Sequence, residues 1–119
     1  MKIIITASGP TLDDNVDPRF GRAPWFLLVD PEKDEVEAIE NSQNLNAAQG
    51  AGVQSAQIVA DSGADWVLTG NVGPKAFHGL GAAGIKVAIG VSGTIREALE
   101  KFRRGEIKEC GGANVQGHW

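Results

Sequence analysis

The sequence predicts a three-layer α/β sandwich, with helices on both faces of a mixed five-stranded sheet. Two observations carry this prediction. Five short segments are continuously apolar or alternate between polar and apolar residues, as strands do, and three longer segments have apolar residues at helical spacing. Their order is strand, strand, strand, helix, strand, helix, strand, helix, so an antiparallel hairpin precedes two right-handed β-α-β crossovers.

The first three predicted strands occupy the N-terminal part of the chain. Residues 2–7 are apolar or β-branched almost throughout, which predicts a central strand buried on both faces. Residues 25–30 form a second apolar run, and the turn-forming residues 31–34 end it. Residues 35–41 alternate between polar and apolar types, so we expect an edge strand with one buried face and one face in water.

The rest of the chain alternates helices with short strands. Glycines end the predicted helices, because glycine adopts the left-handed conformation at a helix terminus at low cost. Pro74 suits the first position of the second helix, where no N–H donor is needed. Thr94 and Glu97 have the spacing of a capping box at the start of the third helix. The predicted elements are a loop at 41–49, a helix at 50–63, a strand at 66–70, a helix at 74–84, a strand at 85–89 and a helix at 94–105.

One domain is predicted over residues 1–109, followed by a flexible C-terminal tail at 110–119. The 119 residues suffice for a single hydrophobic core. The tail is rich in glycine and has no periodicity. It begins with Cys110, and a single cysteine excludes an internal disulfide.

Charge and hydropathy exclude several kinds of partner. The net charge of −4 leaves no broad basic surface for nucleic acid. No apolar run approaches the length of a membrane span, and the N-terminus lacks the layout of a signal peptide. We therefore expect a cytoplasmic protein that binds neither nucleic acid nor membrane.

Three glycine-containing loops are predicted to meet at one end of the sheet. Residues 8–22, 70–75 and 90–94 follow strands whose carboxyl ends share an edge of the sheet, the usual place for ligands in α/β proteins. Two of these loops lead directly into helices, and the free N–H groups and positive dipole ends at the start of those helices favour an anion. The sequence therefore predicts an anion site at this end.

The arginine loop, defined as residues 17–24 with the sequence Asp-Pro-Arg-Phe-Gly-Arg-Ala-Pro, is the segment around which this site is expected to form. Its two prolines disfavour both helix and regular strand. Arg19 and Arg22 flank Gly21, which places two multi-donor cations near one point and suits an anion. The alternative is that both arginines pair with neighbouring acids and hold the loop in place. Those acids are Asp13, Asp14, Asp17 and Asp30.

No constellation for catalysis is present. The G-x-G-x-x-G match at 79–84 lies within a predicted helix and precedes a strand, the reverse of the dinucleotide-binding arrangement. The first strand carries no carboxylate for magnesium, so metal-dependent phosphodiester cleavage is not expected. Neither Ser8 nor Ser92 lies in a G-x-S-x-G nucleophile elbow. We expect a protein that is not an enzyme.

Five ordered motifs carry a family resemblance over essentially the whole chain. They are the arginine loop, Gly-Pro-Lys-Ala-Phe at 73–77, Ala-Ala-Gly-Ile-Lys-Val at 82–87, Gly-Thr-Ile-Arg-Glu-Ala-Leu at 93–99 and Ala-Asn-Val-Gln-Gly-His-Trp at 113–119. Together they resemble the dinitrogenase iron-molybdenum cofactor-binding domain family, of the NifX and NifB carboxyl-terminal type, which includes the orange protein of sulfate reducers.

The resemblance implies a ribonuclease H-like fold and non-catalytic binding, carriage or scaffolding of an anionic metal-sulfur cluster. It implies a molybdenum-containing cluster, of the iron-molybdenum or molybdenum-copper type, that is bound non-covalently. A protein donor or acceptor of the cluster is the implied partner. The alternative function is a regulatory protein-interaction subunit without a cluster.

The cofactor-binding residues expected from this combination lie in the three loops. Arg19 and Arg22 would compensate the charge of the cluster, and Gly21 would let it approach the backbone. Phe20 would cover an apolar cluster face, or else it fills the core. Further candidates are the backbone N–H groups of Gly73, Gly93 and Thr94, together with Lys75 and His78.

The metal-ligand candidates are His78, Cys110 and His118. His78 lies one helical turn after Lys75 on the same face, and is either a ligand or a partly buried helix residue. Cys110 is either a soft ligand or an incidental thiol in the tail. No cysteine lies in the core motifs, which argues against covalent attachment of a cluster.

Overall fold

The computed structural model describes residues 1–33, 35–41 and 51–112. The strands are β1 (Ile3–Ala7), β2 (Trp25–Asp30), β3 (Glu35–Glu40), β4 (Trp66–Leu68) and β5 (Lys86–Ala88). The α-helices are α1 (Ala51–Ser62), α2 (Pro74–Ala82) and α3 (Ile95–Arg103), and Phe20–Arg22 forms one turn of 3-10 helix. The loop predicted at 41–49 lies, after its first residue, outside the described residues.

The five strands form one mixed sheet in the order β3-β2-β1-β4-β5. β1 pairs antiparallel with β2 and parallel with β4, so it is central, as predicted. The hairpin between β2 and β3 closes where Lys33 N–H donates to the carbonyl of Asp30 over 3.2 Å. The predicted α/β fold with a mixed five-stranded sheet is confirmed.

Helices cover both faces of the sheet and create two core clusters. Ile4 of β1 lies in the first cluster with apolar residues of α1 and α2, whereas Ile3 and Ile5 lie in the second with residues of α3. All three isoleucines have no exposed surface, which explains the continuously apolar sequence of β1. Burying each such side chain contributes roughly 1.5–3 kcal/mol.

The edge strand β3 differs from its prediction, because neither of its faces is buried. Val36 is 39% exposed, Ala38 is also exposed, and only Ile39 packs against a core cluster. Val36 and Ala38 pair with Val29 and Leu27, so they lie on the α3 side of the sheet. The core cluster on that side contains no residue of β3, so the strand extends past the region that the cluster covers.

The helix boundaries follow the sequence signals closely. The glycines after the three helices have φ values of 80°, 77° and 73°, the left-handed conformation expected at helix ends. On α1, Ala56 and Val59 are buried, but Val53 at the same helical spacing is 49% exposed. None of the helices in the described part of the chain has the length and apolar character that a membrane crossing requires.

Candidate functional site

The segment after β1 leaves the sheet and returns to it, which brings the arginine loop to the carboxyl ends of the parallel strands. Ser8 N–H donates to Asn15 over 3.0 Å, and Val16 pairs with Ala7. Val16 N–H also donates to the carbonyl of Gly93 over 2.8 Å. Two of the three predicted loops are thus joined by backbone hydrogen bonds.

Two buried threonines anchor the first residue of the arginine loop. The Thr6 hydroxyl lies 2.7 Å from the carbonyl of Asp17 and 2.8 Å from the Thr69 hydroxyl, and both threonines have no exposed surface. A buried hydroxyl left without a partner costs about 1–3 kcal/mol, so this chain of bonds fixes the loop strongly. Sequence reasoning missed these residues, although a threonine at the end of each of two apolar runs was the available signal.

The arginine loop then passes at very close range the residues that follow β4. A Cβ atom on Gly70 would lie 2.7 Å from the Cα atom of Pro18, so only glycine allows this approach. Asn71 Nδ2 donates to the carbonyl of Pro18 over 2.9 Å, and Phe20 N–H donates to the carbonyl of Asn71 over 3.2 Å. Arg19 is therefore held beside the turn that leads into α2.

Asn41 secures the other end of the arginine loop. It follows β3 and is fully buried. Its backbone N–H donates to the carbonyl of Pro24 over 2.8 Å, and its Nδ2 donates to the carbonyl of Ala23 over 2.8 Å. Sequence reasoning assigned Asn41 to a polar loop, but its amide satisfies backbone carbonyls of a neighbouring segment.

Arg19 is only partly neutralised. Its Nε lies 3.7 Å from Oδ1 of Asp17, an atom that also accepts the backbone N–H of Arg19 over 2.9 Å. One of the acid pairings considered as an alternative is therefore present. The Arg19 side chain is 48% exposed, and its two terminal nitrogens have no partner among the described residues. As far as the described residues are concerned, these nitrogens can bind an anion.

The middle of the arginine loop faces the core. The Phe20 ring is 1% exposed and lies 5.9 Å from the ring of Phe26, so Phe20 fills the core, which is the second of the two roles considered for it. Gly21 is also buried, and its carbonyl lies 3.5 Å from the Ser55 hydroxyl of α1. The loop makes one turn of 3-10 helix here, contrary to the prediction, and Arg22 ends that turn half-buried.

At the N-terminus of α2, called the open end below, the first N–H groups have no acceptor among the described residues. Gly73 is the N-cap residue, with φ −81° and ψ 167°, and supplies no side-chain hydrogen bond. Pro74 has no N–H to satisfy, and the N–H groups of Lys75 and Ala76 have no acceptor among the described residues. Lys75 and His78 are both exposed on this helix. The arrangement offers backbone donors, a helix dipole and a lysine.

The N-terminus of α3 is closed. Thr94 N–H donates to Glu97 Oε1 over 2.9 Å, and Glu97 N–H donates to the Thr94 hydroxyl over 3.1 Å, which is the predicted capping box. The N–H groups of Ile95 and Arg96 donate to backbone carbonyls of the loop after β1, over 2.9 Å each. The Thr94 N–H, which the sequence offered as a donor to a ligand, is thus bonded to Glu97 within the protein.

Electrostatics also make the N-terminus of α3 less suited to an anion than the N-terminus of α2. The backbone N–H of Thr94 and then its hydroxyl bond to the Glu97 carboxylate, and Lys101 adds a favourable charge, so the pKa of Glu97 lies below its ordinary value. Glu97 is thus ionised at neutral pH and opposes an anion at this position. Gly93, with φ +88°, lies beside the same carboxylate.

The metal-ligand candidates are not brought together. Cys110 is half-buried, packs against the first core cluster and donates its N–H to the carbonyl of Val87 over 2.8 Å, so the chain is still attached to β5 beyond the boundary predicted at 109. His118 lies outside the described residues. Within the described ranges, no three His, Cys, Asp or Glu side chains are grouped to hold a metal ion.

A protein-family model described as dinitrogenase iron-molybdenum cofactor matches residues 1–105. The chain belongs to this family. The resemblance found in the motifs is thereby confirmed, and the matched range includes the arginine loop and the N-termini of α2 and α3. Cys110 and His118 lie beyond it.

Two known structures and one sequence relative are similar to this chain over nearly its full length. The apo form of the orange protein of Desulfovibrio gigas is 46% identical, with 96% of each chain covered and a TM-score of 0.93. A Thermotoga protein assigned as NifB is 34% identical, with 98% of each chain covered and a TM-score of 0.83. An uncharacterised protein of Methanocaldococcus jannaschii is 30% identical, over 92% of this chain and 95% of its own.

Proposed function

We propose that this member of the dinitrogenase iron-molybdenum cofactor family binds and carries an anionic metal-sulfur cluster without catalysing a reaction. The cluster contains molybdenum together with iron or copper, and is held non-covalently. The observation that carries the proposal is the open N-terminus of α2 beside Arg19, since Lys75 and Ala76 present N–H groups that have no acceptor in the described chain.

The chemistry of these donors suits a cluster of sulfide ligands and negative charge. The helix end contributes the equivalent of about half a positive charge. Arg19 and Lys75 add full charges, and the guanidinium can donate two parallel hydrogen bonds. Hydrogen bonds to charged groups contribute about 1.5–3 kcal/mol each, so a few of them hold a cluster reversibly.

Reversible binding is the property that a carrier needs. The part of the chain that matches the family contains no cysteine, so it provides no thiolate for permanent attachment. His78, one turn along α2 from Lys75, is the protein ligand that the proposal offers to a metal, with Cys110 and His118 as further candidates.

The wider setting of the protein belongs to the same proposal. A donor and an acceptor protein exchange the cluster with it in the cytoplasm. We also propose that the fold is ribonuclease H-like. The family resemblance implies this classification, and the strand order β3-β2-β1-β4-β5 is compatible with it.

The test is reconstitution of the cluster-free protein with tetrathiomolybdate alone, with tetrathiomolybdate and copper(I), and with iron-sulfur clusters. Gel filtration followed by visible absorbance and elemental analysis should find one cluster retained per chain. Retention should fall with ionic strength, because the Debye length shrinks from about 10 Å at 0.1 M salt to about 3 Å at 1 M. Failure to retain any of the three mixtures at low salt would favour the regulatory protein-interaction subunit.

A further inference from the structure

The outer edge of β3 is a regular strand edge that nothing in the described chain covers. All six residues of Glu35–Glu40 pair with β2 on one side. On the other side their backbone groups have no hydrogen-bond partner among the described residues, and five of the six residues are exposed. Such an edge can accept an additional strand from another chain.

The two faces of β3 beside this edge have different chemistry. Glu35 and Glu37 point to one face, where an open depression of about 470 Å³ is lined by Lys2, Leu28, Asp30, Glu35 and Glu37 and also reaches Val36, the strand residue between the two glutamates. On the opposite face Val36 and Ala38 are exposed and apolar. Because successive side chains alternate between faces, an added strand would present its own alternate residues to these two surfaces.

We propose that the outer edge of β3 docks an extended segment of a partner protein in which basic and apolar residues alternate. The partner backbone pairs with β3 as a sixth strand. Its lysine or arginine residues face the three carboxylates of the depression, which has a single lysine, and its apolar residues cover Val36 and Ala38. Charge complementarity thus selects this occupant.

A second copy of the chain fits this edge poorly. Each copy would bring Glu35, Glu37 and Glu40 to the shared edge, and opposed like charges destabilise strand pairs. Acidic residues can also simply protect an edge from pairing. Here, however, the edge is six residues long and free of proline, its ladder with β2 pairs every residue without a bulge, and its apolar residues stay exposed on the other face.

The docking surface is separate from the proposed cluster site. β3 and β5 form opposite edges of the sheet, and α2 contacts β5 and α1. A strand added to β3 therefore leaves the N-terminus of α2 accessible. The inference does not depend on the cluster and is tested with the cluster-free protein.

The probe is a synthetic peptide of about ten residues with alternating lysine and valine, long enough to span a six-residue edge at about 3.4 Å per residue. The control peptide has the same composition, with all lysines in one block. Isotope-labelled protein is titrated at low salt and monitored by NMR. The alternating peptide should shift the amide resonances of residues 35–40 and slow the hydrogen exchange of those amides. It should bind at least ten-fold more tightly than the block peptide.

Matched charge reversals localise the effect. Glu37→Lys should weaken binding of the alternating peptide at least ten-fold, whereas Glu109→Lys, an equal change of charge at an exposed position after α3, should alter it less than two-fold. Ala38→Lys, on the opposite face of β3, should weaken binding without changing any residue that lines the acidic depression. Equal binding of both peptides, no binding of either, or concentration-dependent self-association through β3 would each overturn the proposal.

Discussion

Two helices begin at the same end of this sheet, each after a glycine, and their N-termini have opposite properties. At α2, Gly73 and Pro74 supply no side-chain cap, and two N–H groups remain without an acceptor in the described chain. At α3, the Thr94 and Glu97 capping box and two loop carbonyls occupy all the corresponding donors. Within the described residues, one helix end has donors without acceptors and the other is closed by the protein itself.

The difference shows that a glycine-led helix start is not by itself an anion site. What decides is whether the chain uses the donors internally. Satisfied donors stabilise the folded protein, whereas donors without a partner cost stability unless a ligand or water occupies them. Under the proposed function a bound cluster would supply acceptors for the donors of α2, whereas the donors of α3 already stabilise the fold.

Closing the open end should have the largest effect. In Gly73→Asp, the side chain can cap α2, because φ −81° and ψ 167° are extended backbone that any residue adopts. The carboxylate would compete for the N–H groups and repel an anion, so affinity for tetrathiomolybdate should fall roughly 100-fold, the loss of about 2.7 kcal/mol of charged hydrogen bonding. Absorbance titration measures this affinity.

Gly73→Asn is the matched control, since it has nearly the same shape without the charge. It should cap the helix and weaken binding less than Gly73→Asp does. Unchanged affinity in both variants would show that the cluster does not contact the N-terminus of α2.

Removing the neighbouring charge should have a smaller effect. Arg19→Gln removes the half-exposed guanidinium next to the open end, and should lower affinity for tetrathiomolybdate about ten-fold at low salt, with a shallower dependence on ionic strength. Arg96→Gln removes an arginine in the first turn of α3, where Arg96 pairs with Asp13 at 3.1 Å, and should leave affinity within two-fold. Similar losses in both variants would mean that the binding is merely non-specific attraction.

Much of the fold was predictable because it depends on local pattern. The continuous apolar runs correctly located β1 and β2, and the Thr94–Glu97 spacing correctly located the start of α3. The prediction that β3 is an edge strand was also correct. The prediction that one face of β3 is buried was wrong. Burial depends on how far the elements packed on that face extend across the sheet, and a local sequence pattern contains no information about that distance.

The candidate site was predictable only in part. Composition pointed to the arginine loop, but it could not tell which of four acids pairs with Arg19, and the answer is Asp17. Closure of α3 depends on carbonyls of Leu12 and Asp14, more than eighty positions away in the chain. Every residue has a backbone carbonyl, so the sequence does not show which of them accepts a hydrogen bond. Contacts of this kind can be identified only in the folded chain.

Opening the closed end should affect stability alone. Thr94→Ala removes the cap of α3 and should lower the free energy of unfolding by about 1 kcal/mol, as N-cap substitutions typically do. Affinity for tetrathiomolybdate should not change, since the N–H groups at this helix end already have acceptors within the protein. Ser92→Ala, at an exposed neighbouring position, is the control and should change neither quantity. Thermal or urea unfolding measures the stability. Weaker cluster binding by Thr94→Ala would contradict the view that the N-terminus of α3 only stabilises the fold.

The smallest effect concerns the pH dependence of the closed end. Glu97 has a lowered pKa in the folded protein because Thr94 donates to its carboxylate, so folding favours its ionised form. Its contribution to stability is therefore complete above the pKa of the unfolded chain and is lost as the pH falls through the lower folded pKa. The stability difference between wild type and Glu97→Gln should accordingly shrink as urea unfolding is measured from about pH 6 down to about pH 3. In a Thr94→Ala background the pH-dependent effect of the same substitution should become smaller without disappearing, because the hydroxyl is lost but the backbone N–H of residue 94 can still donate to Glu97. A difference that persists at the acid limit would mean that Glu97 stabilises α3 by some means other than the capping box.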